Sequence, residues 1–381
     1  MVGLLLIALT FVQPGSLLDH VSKYTVGVDF IAYWASGRLL LENANPYAYE
    51  HVFELQKSVG WMISEPLVMY NPPWVLTFIL PFSTRDYVTG KAAWMITCLV
   101  FVFASSYGLW KFYGGTDHDR GWHLLLIASF SPILFMILKA QIAFILLVGT
   151  LGFLHFERQR KCWIAGVFAA LTLVKPHALF LFWVAILLWT MHQRRWKILA
   201  GSLLTALLMS LAPLYYNPDV YNFYVQEILT RGHQYHWLTP TWGTVLRSAG
   251  GKEQQWLQFI PPLFGLIWLF VHWTGHRNCW VWANEMPRII FVSLISNFYI
   301  WVNDFALCLV PLTQAALLIV RNQVDFRVSC FTILAYLLTN IASWVIYLRV
   351  QNEFWLFWMA PFLLALYAHL MRNARMTARL E

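Results

Sequence analysis

Charge is what this sequence has least of. Only 12% of its 381 residues are Asp, Glu, Lys or Arg, about half the roughly 25% of an ordinary soluble domain, while 59% are hydrophobic. So much apolar surface cannot be kept from water by a soluble fold, and the chain reads as an integral membrane protein. Cysteine is scarce too. Cys98, Cys162, Cys279, Cys308 and Cys330 stand singly in apolar surroundings, which excludes a disulfide scaffold or a thiolate metal site and makes them small core residues. No stretch reads as soluble α/β sequence, so a nucleotide-binding domain has no place. The formal charge of +8 does not indicate nucleic acid, because the basic residues fall in short clusters between hydrophobic runs, as the positive-inside bias requires.

Apolar runs are what the sequence has in plenty. They fall at about 92–110, 122–138, 141–156, 162–175, 177–191, 196–215, 256–274, 287–302, 304–320, 327–348 and 352–371, after an N-terminal MVGLLLIALTFVQ. A spanning helix needs ~20 apolar residues, so the expectation is an all-α polytopic bundle of about 12 transmembrane helices, one membrane-embedded domain over 1–381. The N-terminal run has no basic residue before it and no small-residue cleavage site after it. It is expected to be an abbreviated anchor, or the sign of a start codon placed too far downstream. Residues 14–70 and 217–255 are polar intervals too long for turns, and long ordered loops carry function; with the segment that follows it, the first makes an outer loop over 14–90. They flank a transmembrane core, 91–216, and precede C-terminal helices, 256–381.

Orientation follows from Lys and Arg. ERQRK (157–161), QRRWK (193–197), the 275–288 segment, RNQVDFR (321–327) and the tail RNARMTAR are basic and are assigned to the cytoplasm. The connections at Lys139, Lys175, Asn303-Asp304 and Arg349 carry one basic residue or none and face outward with 217–255. If YNPPWVLTFILPF (70–82) crossed the membrane, Lys139 would change sides. The segment is therefore read as a re-entrant or juxtamembrane helix started by Pro72 and Pro73, and both termini as cytoplasmic.

Few polar side chains on the outer face can do chemistry. Asp29 precedes Phe30, Trp34, Gly37 and Leu41 at helical spacing, which suits an amphipathic interfacial helix. Asp29 is either its N-cap or a carboxylate able to take a proton from a bound hydroxyl, and the two are compatible. Lys139, Gln141, Lys175 and His177 interrupt apolar sequence, either snorkelling to headgroups or binding an anionic lipid head. In RGHQYHWLTPTW (231–242), Arg231, His233 and His236 lie near Trp237 and Trp242. A phosphate or sugar suits them better than a metal, since no third ligand stands at metal spacing, and a plain solvated loop is the alternative. Asn303 and Asp304 read as a turn between spans, with a substrate contact as the alternative.

The set DFIAYWASGRLLLENANPYAY, YNPPWVLTFILPF and SPILFMILKAQIAFILLVGTLGFLHFERQRKCWIAGVFAALTLVKPHALFLF resembles glycosyltransferase family 87, polytopic GT-C enzymes that include polyprenol-phosphate-mannose-dependent α-1,2-mannosyltransferases. The elements that match in order over 28–180 are Asp29-Phe30, Pro46-Tyr47, Tyr70-Asn71-Pro72-Pro73, Gln141, Arg158-Gln159-Arg160, Ala165-Gly166 and Lys175-Pro176. Ala140 and Ala143 stand where the family has Gly and Asn. The resemblance implies a GT-C-type bundle with juxtamembrane helices in its outer loop, Asp29 as the catalytic carboxylate, and a polyprenyl-phosphate-linked sugar as donor. It also implies a lipid or glycan acceptor; no cofactor and no metal-binding residue is assigned. Tyr33, Tyr70 and Asn71, within the same motifs, are expected to bind substrate beside Lys139, Gln141, Lys175, His177, Arg231, His233 and His236. The expected protein is a monomer in the cell membrane, acting on its outer face. A multi-pass lipid or solute transporter or flippase, or a non-catalytic GT-C-like assembly subunit, is the alternative; the sequence shows neither inverted repeats nor paired broken helices.

Overall fold

The computed structural model describes residues 26–231, 238–251 and 254–374. These are mostly helical, with no strand among the described residues. The helices are α1 Phe30–Leu41, α2 Tyr49–Ser58, α3 Leu76–Ser83, α4 Tyr87–Phe112, α5 Gly121–Ser129, α6 Ser131–Leu138, α7 Phe144–Arg158, α8 Cys162–Leu171 and α9 Phe180–Gln193. After them come α10 Trp196–Tyr216, α11 Val220–Arg231, α12 Trp242–Gly250, α13 Ile260–His276, α14 Trp282–Ile295, α15 Leu309–Val320, α16 Phe326–Val345 and α17 Met359–Asn373. Short 3₁₀ segments precede α3, α13, α15 and α17, another follows α8, and a π turn extends α16.

Six of these elements are long and apolar enough to cross a membrane among the described residues: Tyr87–Phe112, Trp196–Tyr216, Gln255–His276, Val302–Val320, Phe326–Val350 and Glu353–Asn373. The pair α5–α6 makes a seventh if its 70° bend lies within one span. The expected twelve are therefore not found. Most of the remaining runs do form helices, but α7, α8, α9 and α14 have only 15, 10, 14 and 14 residues, about 15–23 Å at 1.5 Å per residue against a hydrocarbon core of ~30 Å. Hydropathy counts apolar residues straight through a break, so it cannot see that Lys175-Pro176 or Ser296–Trp301 ends a helix. The N-terminal run lies outside the described residues.

Local chemistry explains several boundaries. Asp86, Thr241 and Asp325 cap α4, α12 and α16 by accepting a backbone N–H, as free helix N-termini demand. Pro73 opens the 3₁₀ turn that leads into α3, where a proline costs no hydrogen bond. At the other end of α6, Ala140 takes φ +56°. Its N–H donates to the Ile137 carbonyl and that of Gln141 to the Met136 carbonyl, at 3.0 and 2.9 Å, a Schellman ending. This is the position where the resembled family carries glycine, the residue that adopts a positive φ without penalty.

Two expectations for the polar intervals change. Helix α1 is not an amphipathic surface helix: ten of its twelve residues are buried. Gly37 lets it close on α3, where a Cβ would lie 2.2 Å from the Ser83 hydroxyl oxygen, and the Trp34 indole donates to the Arg85 carbonyl at 3.0 Å. Residues 217–255 are not an irregular loop either, since α11 and α12 occupy most of them. Among the cysteines only Cys98 and Cys308 are core residues, while Cys279 and Cys330 are exposed.

Candidate active site

The junctions between helices converge on one cavity of about 360 Å³, lined by Asp29, Tyr33, Tyr70, Asn71, Lys139, Gln141, Lys175 and His177. All eight are residues singled out above, from segments up to about 150 positions apart. Val68, Tyr224, Tyr299, Trp301 and Asn303 complete much of the wall. His233 and His236 lie outside the described residues, and for Arg231 only the backbone is described, as the last residue of α11.

Asp29 is placed by its backbone. The N–H groups of Gly27 and Asp29 donate to the carbonyls of Leu138 and Lys139, at 2.6 and 3.0 Å, and so satisfy acceptors that the end of α6 leaves free. Its side chain makes no N-cap hydrogen bond, so the cap expectation is corrected. The carboxylate instead accepts from Gln141 Nε2 at 2.5 Å, and Gln141 Oε1 accepts from the Tyr33 hydroxyl at 3.1 Å. The chain Tyr33–Gln141–Asp29 fixes the carboxylate's orientation. Burial pushes the Asp29 carboxyl above the usual carboxylate range; Lys139, the Gln141 hydrogen bond and Lys175 oppose that shift, and Glu353 adds to it.

The two lysines do not snorkel. Lys139 pairs with Glu353, and Lys175 pairs with Asp304 at 2.7 Å with both side chains almost wholly buried. One turn holds both carboxylates: the Trp301 N–H donates to Asp304 Oδ2 at 2.9 Å and the Val302 N–H to Glu353 Oε2 at 3.1 Å. Asn303 and Asp304 thus belong to a buried 3₁₀ helix, Val302–Cys308, not to an exposed turn. Burial lowers the proton affinity of Lys139, but Glu353, Tyr347 and Asp29 outweigh it and leave the ammonium above the usual lysine range. Asp304 and Glu353 are the partners that sequence reasoning missed. One signal was present: a lysine inside apolar sequence needs a carboxylate, and few carboxylates in this chain adjoin apolar runs.

Other groups tie the wall together. Asn71 donates from Nδ2 to the Val174 carbonyl at 3.2 Å and accepts on its own carbonyl from the Tyr47 hydroxyl. Trp74 donates to the Leu173 carbonyl at 2.9 Å, so the Tyr-Asn-Pro-Pro turn braces the break at Lys175. Burial pushes the His177 imidazole down to about 4, against the pull of Asp304. It is therefore uncharged at neutral pH and can offer an anionic lipid head hydrogen bonding but no positive charge. His177 Nε2 and Asn303 Nδ2 are buried without a hydrogen-bond partner among the described residues.

The arrangement suits proton abstraction beside an anion. Asp29 is a fixed base of raised proton affinity, and each ammonium has three donors, of which a carboxylate takes one. Among the described residues no group of three or more His, Cys, Asp or Glu side chains is placed to hold a metal. The family model described as glycosyltransferase family 87 matches residues 69–371, which takes in Lys139, Gln141, Lys175, His177, Asp304 and Glu353 and begins downstream of Asp29. Neither the curated proteins nor the solved structures contain a match to this chain.

Proposed function

The chain belongs to glycosyltransferase family 87, and we propose that it moves a sugar, mannose or another hexose or pentose, from a polyprenyl-phosphate-linked donor to a lipid or glycan hydroxyl. Asp29 removes the proton of that hydroxyl as its oxygen bonds to the anomeric carbon. The bond from that carbon to the phosphate oxygen breaks on the opposite side, giving inversion. The polyprenyl phosphate that leaves gains negative charge, which donors fixed in a dry site stabilise more than water does. Lys139 and Lys175 are those donors, with His177 and Asn303 as uncharged hydrogen-bonding groups. The basic loops at 157–161, 193–197 and 321–327 support placing this cavity on the outer face of the cell membrane.

The observation that carries this reading is Asp29 itself. It is a half-buried carboxylate with no ammonium bonded to it among the described residues, held by Gln141 at the edge of a cavity that also holds two lysines. General-base catalysis contributes about 10²–10⁴-fold, so Asp29→Asn should lose at least about two orders of magnitude in transfer while leaving the protein folded. The assay incubates purified protein with polyprenyl-phospho-mannose and membrane lipid acceptors and looks for an added hexose by mass spectrometry. Wild-type transfer by the folded variant would end the assignment.

A further inference from the structure

A hollow larger than the one at Asp29 lies elsewhere in the helix bundle. It measures about 710 Å³ and lies between α4, α7 and α8, with Ala104, Ser105, Gly108 and Gly152 among its lining residues. Ala104 and Ser105 are small side chains that leave room here, while Gly108 and Gly152 let the helices approach closely, since a Cβ on each would meet Leu151 and Phe168 at 2.5 and 2.0 Å. A second hollow of about 270 Å³ adjoins it, sharing Phe101 and Val148, and is walled by Phe82, Trp94 and Phe144. Together they form a trough along α4 from Trp94 to Lys111, about 25 Å at 1.5 Å per residue. That is most of a ~30 Å hydrocarbon core, and α4 is long and apolar enough to span it.

The trough is apolar along its length and basic at one end, where Lys111 and Arg158 line it with His155 and Gln159. Arg158 spends one N–H on the Phe112 carbonyl at 3.1 Å, which leaves most of its fork free. Lys111 pairs with Asp117 at 2.6 Å, but that pair is exposed and therefore weak. At the opposite end Trp94 closes the trough off from the Asp29 cavity. Its indole donates to the Ala140 carbonyl at 2.8 Å, and its ring packs between Tyr33 and Phe144. A polyprenyl tail whose phosphate lies beside Asp29 is therefore not the natural occupant. We propose that the trough holds an anionic glycerophospholipid, its phosphate on Arg158 and Lys111 and one acyl chain running along α4 toward Trp94.

The test reads lipid retention and needs no transfer assay, so it is independent of the reaction proposed above. Purified full-length protein is equilibrated with vesicles of equal phosphatidylglycerol and phosphatidylcholine, re-extracted, and its retained lipid counted by native mass spectrometry. Phosphatidylglycerol should be retained at least about tenfold over phosphatidylcholine. A basic residue near an anionic headgroup contributes about fivefold, so Arg158→Gln with Lys111→Gln should lower retention about 25-fold. Asp117→Asn, which releases Lys111, should raise it. Ala104→Trp changes an exposed lining residue and should abolish retention with the basic end intact, each variant being checked for wild-type elution on size exclusion. Equal retention of the two lipids, or retention by folded Ala104→Trp at the wild-type level, would overturn the proposal.

Discussion

Replacing Lys175 tests whether that lysine grips substrate or merely neutralises Asp304. In Lys175→Met the Asp304 carboxylate stays fully buried with the Trp301 N–H as its remaining hydrogen-bond donor among the described residues. Stranding one charge of a buried pair costs about 3–5 kcal/mol, a large part of the roughly 5–15 kcal/mol that holds a domain folded. Lys175→Met should therefore be strongly destabilised, and its loss of activity alone would be uninformative. Adding Asp304→Asn removes the stranded charge and keeps an oxygen for the Trp301 N–H. The double variant should recover most of that stability, because removing both charges of a buried pair is often close to neutral. Thermal unfolding in detergent measures the recovery, and hexose transfer is measured on the same samples. If Lys175 holds the phosphate, the double variant is stable and nearly inactive. Recovered transfer would refute the phosphate role, and a double variant as unstable as Lys175→Met would refute the ion-pair reasoning itself.

The pH profile offers a second check. A general base acts when ionised, so with the Asp29 proton affinity raised by burial transfer should rise with pH through a limb above the usual carboxylate range. Glu353 raises that proton affinity and the Gln141 hydrogen bond lowers it, so Glu353→Gln should move the limb to lower pH and Gln141→Ala to higher pH; a limb that moves in neither variant would remove Asp29 as its source. Helix packing gives a third. A Cβ on Gly166 would lie 2.2 Å from the Ile198 carbonyl oxygen, and the Ser202 hydroxyl donates to the Gly166 carbonyl at 2.9 Å. Gly166→Val should therefore force α8 and α10 apart and cost about 1–3 kcal/mol as overpacking does, read as a lower midpoint of thermal unfolding.

Much of the site was legible because polar residues are so rare in this chain. Eight expected residues reach one cavity, and each interrupts or borders an apolar run, where a polar side chain is costly unless something uses it. The role given to Asp29 as a cap was wrong for a local reason. A residue ahead of a helix caps it only if its backbone leaves the helical region, and Asp29 has φ −75° and ψ −21°, already helical. The dihedrals follow from its docking onto the end of α6, a contact across more than a hundred residues. The count of spans is not confirmed among the described residues, since hydropathy is a sum over a window and helix breaks are single events within it.

The sequence by itself determined the class, the helices and the small set of residues able to do chemistry, because burial of apolar surface and the cost of a charge in hydrocarbon act residue by residue. How those charges pair is set by the packing of distant segments. Lys139 with Glu353 and Lys175 with Asp304 are 214 and 129 positions apart, and their meeting depends on how α6, the break before α9 and the 301–304 turn pack. A Coulomb interaction depends on separation in space and on local dielectric, and neither is written in the order of the residues.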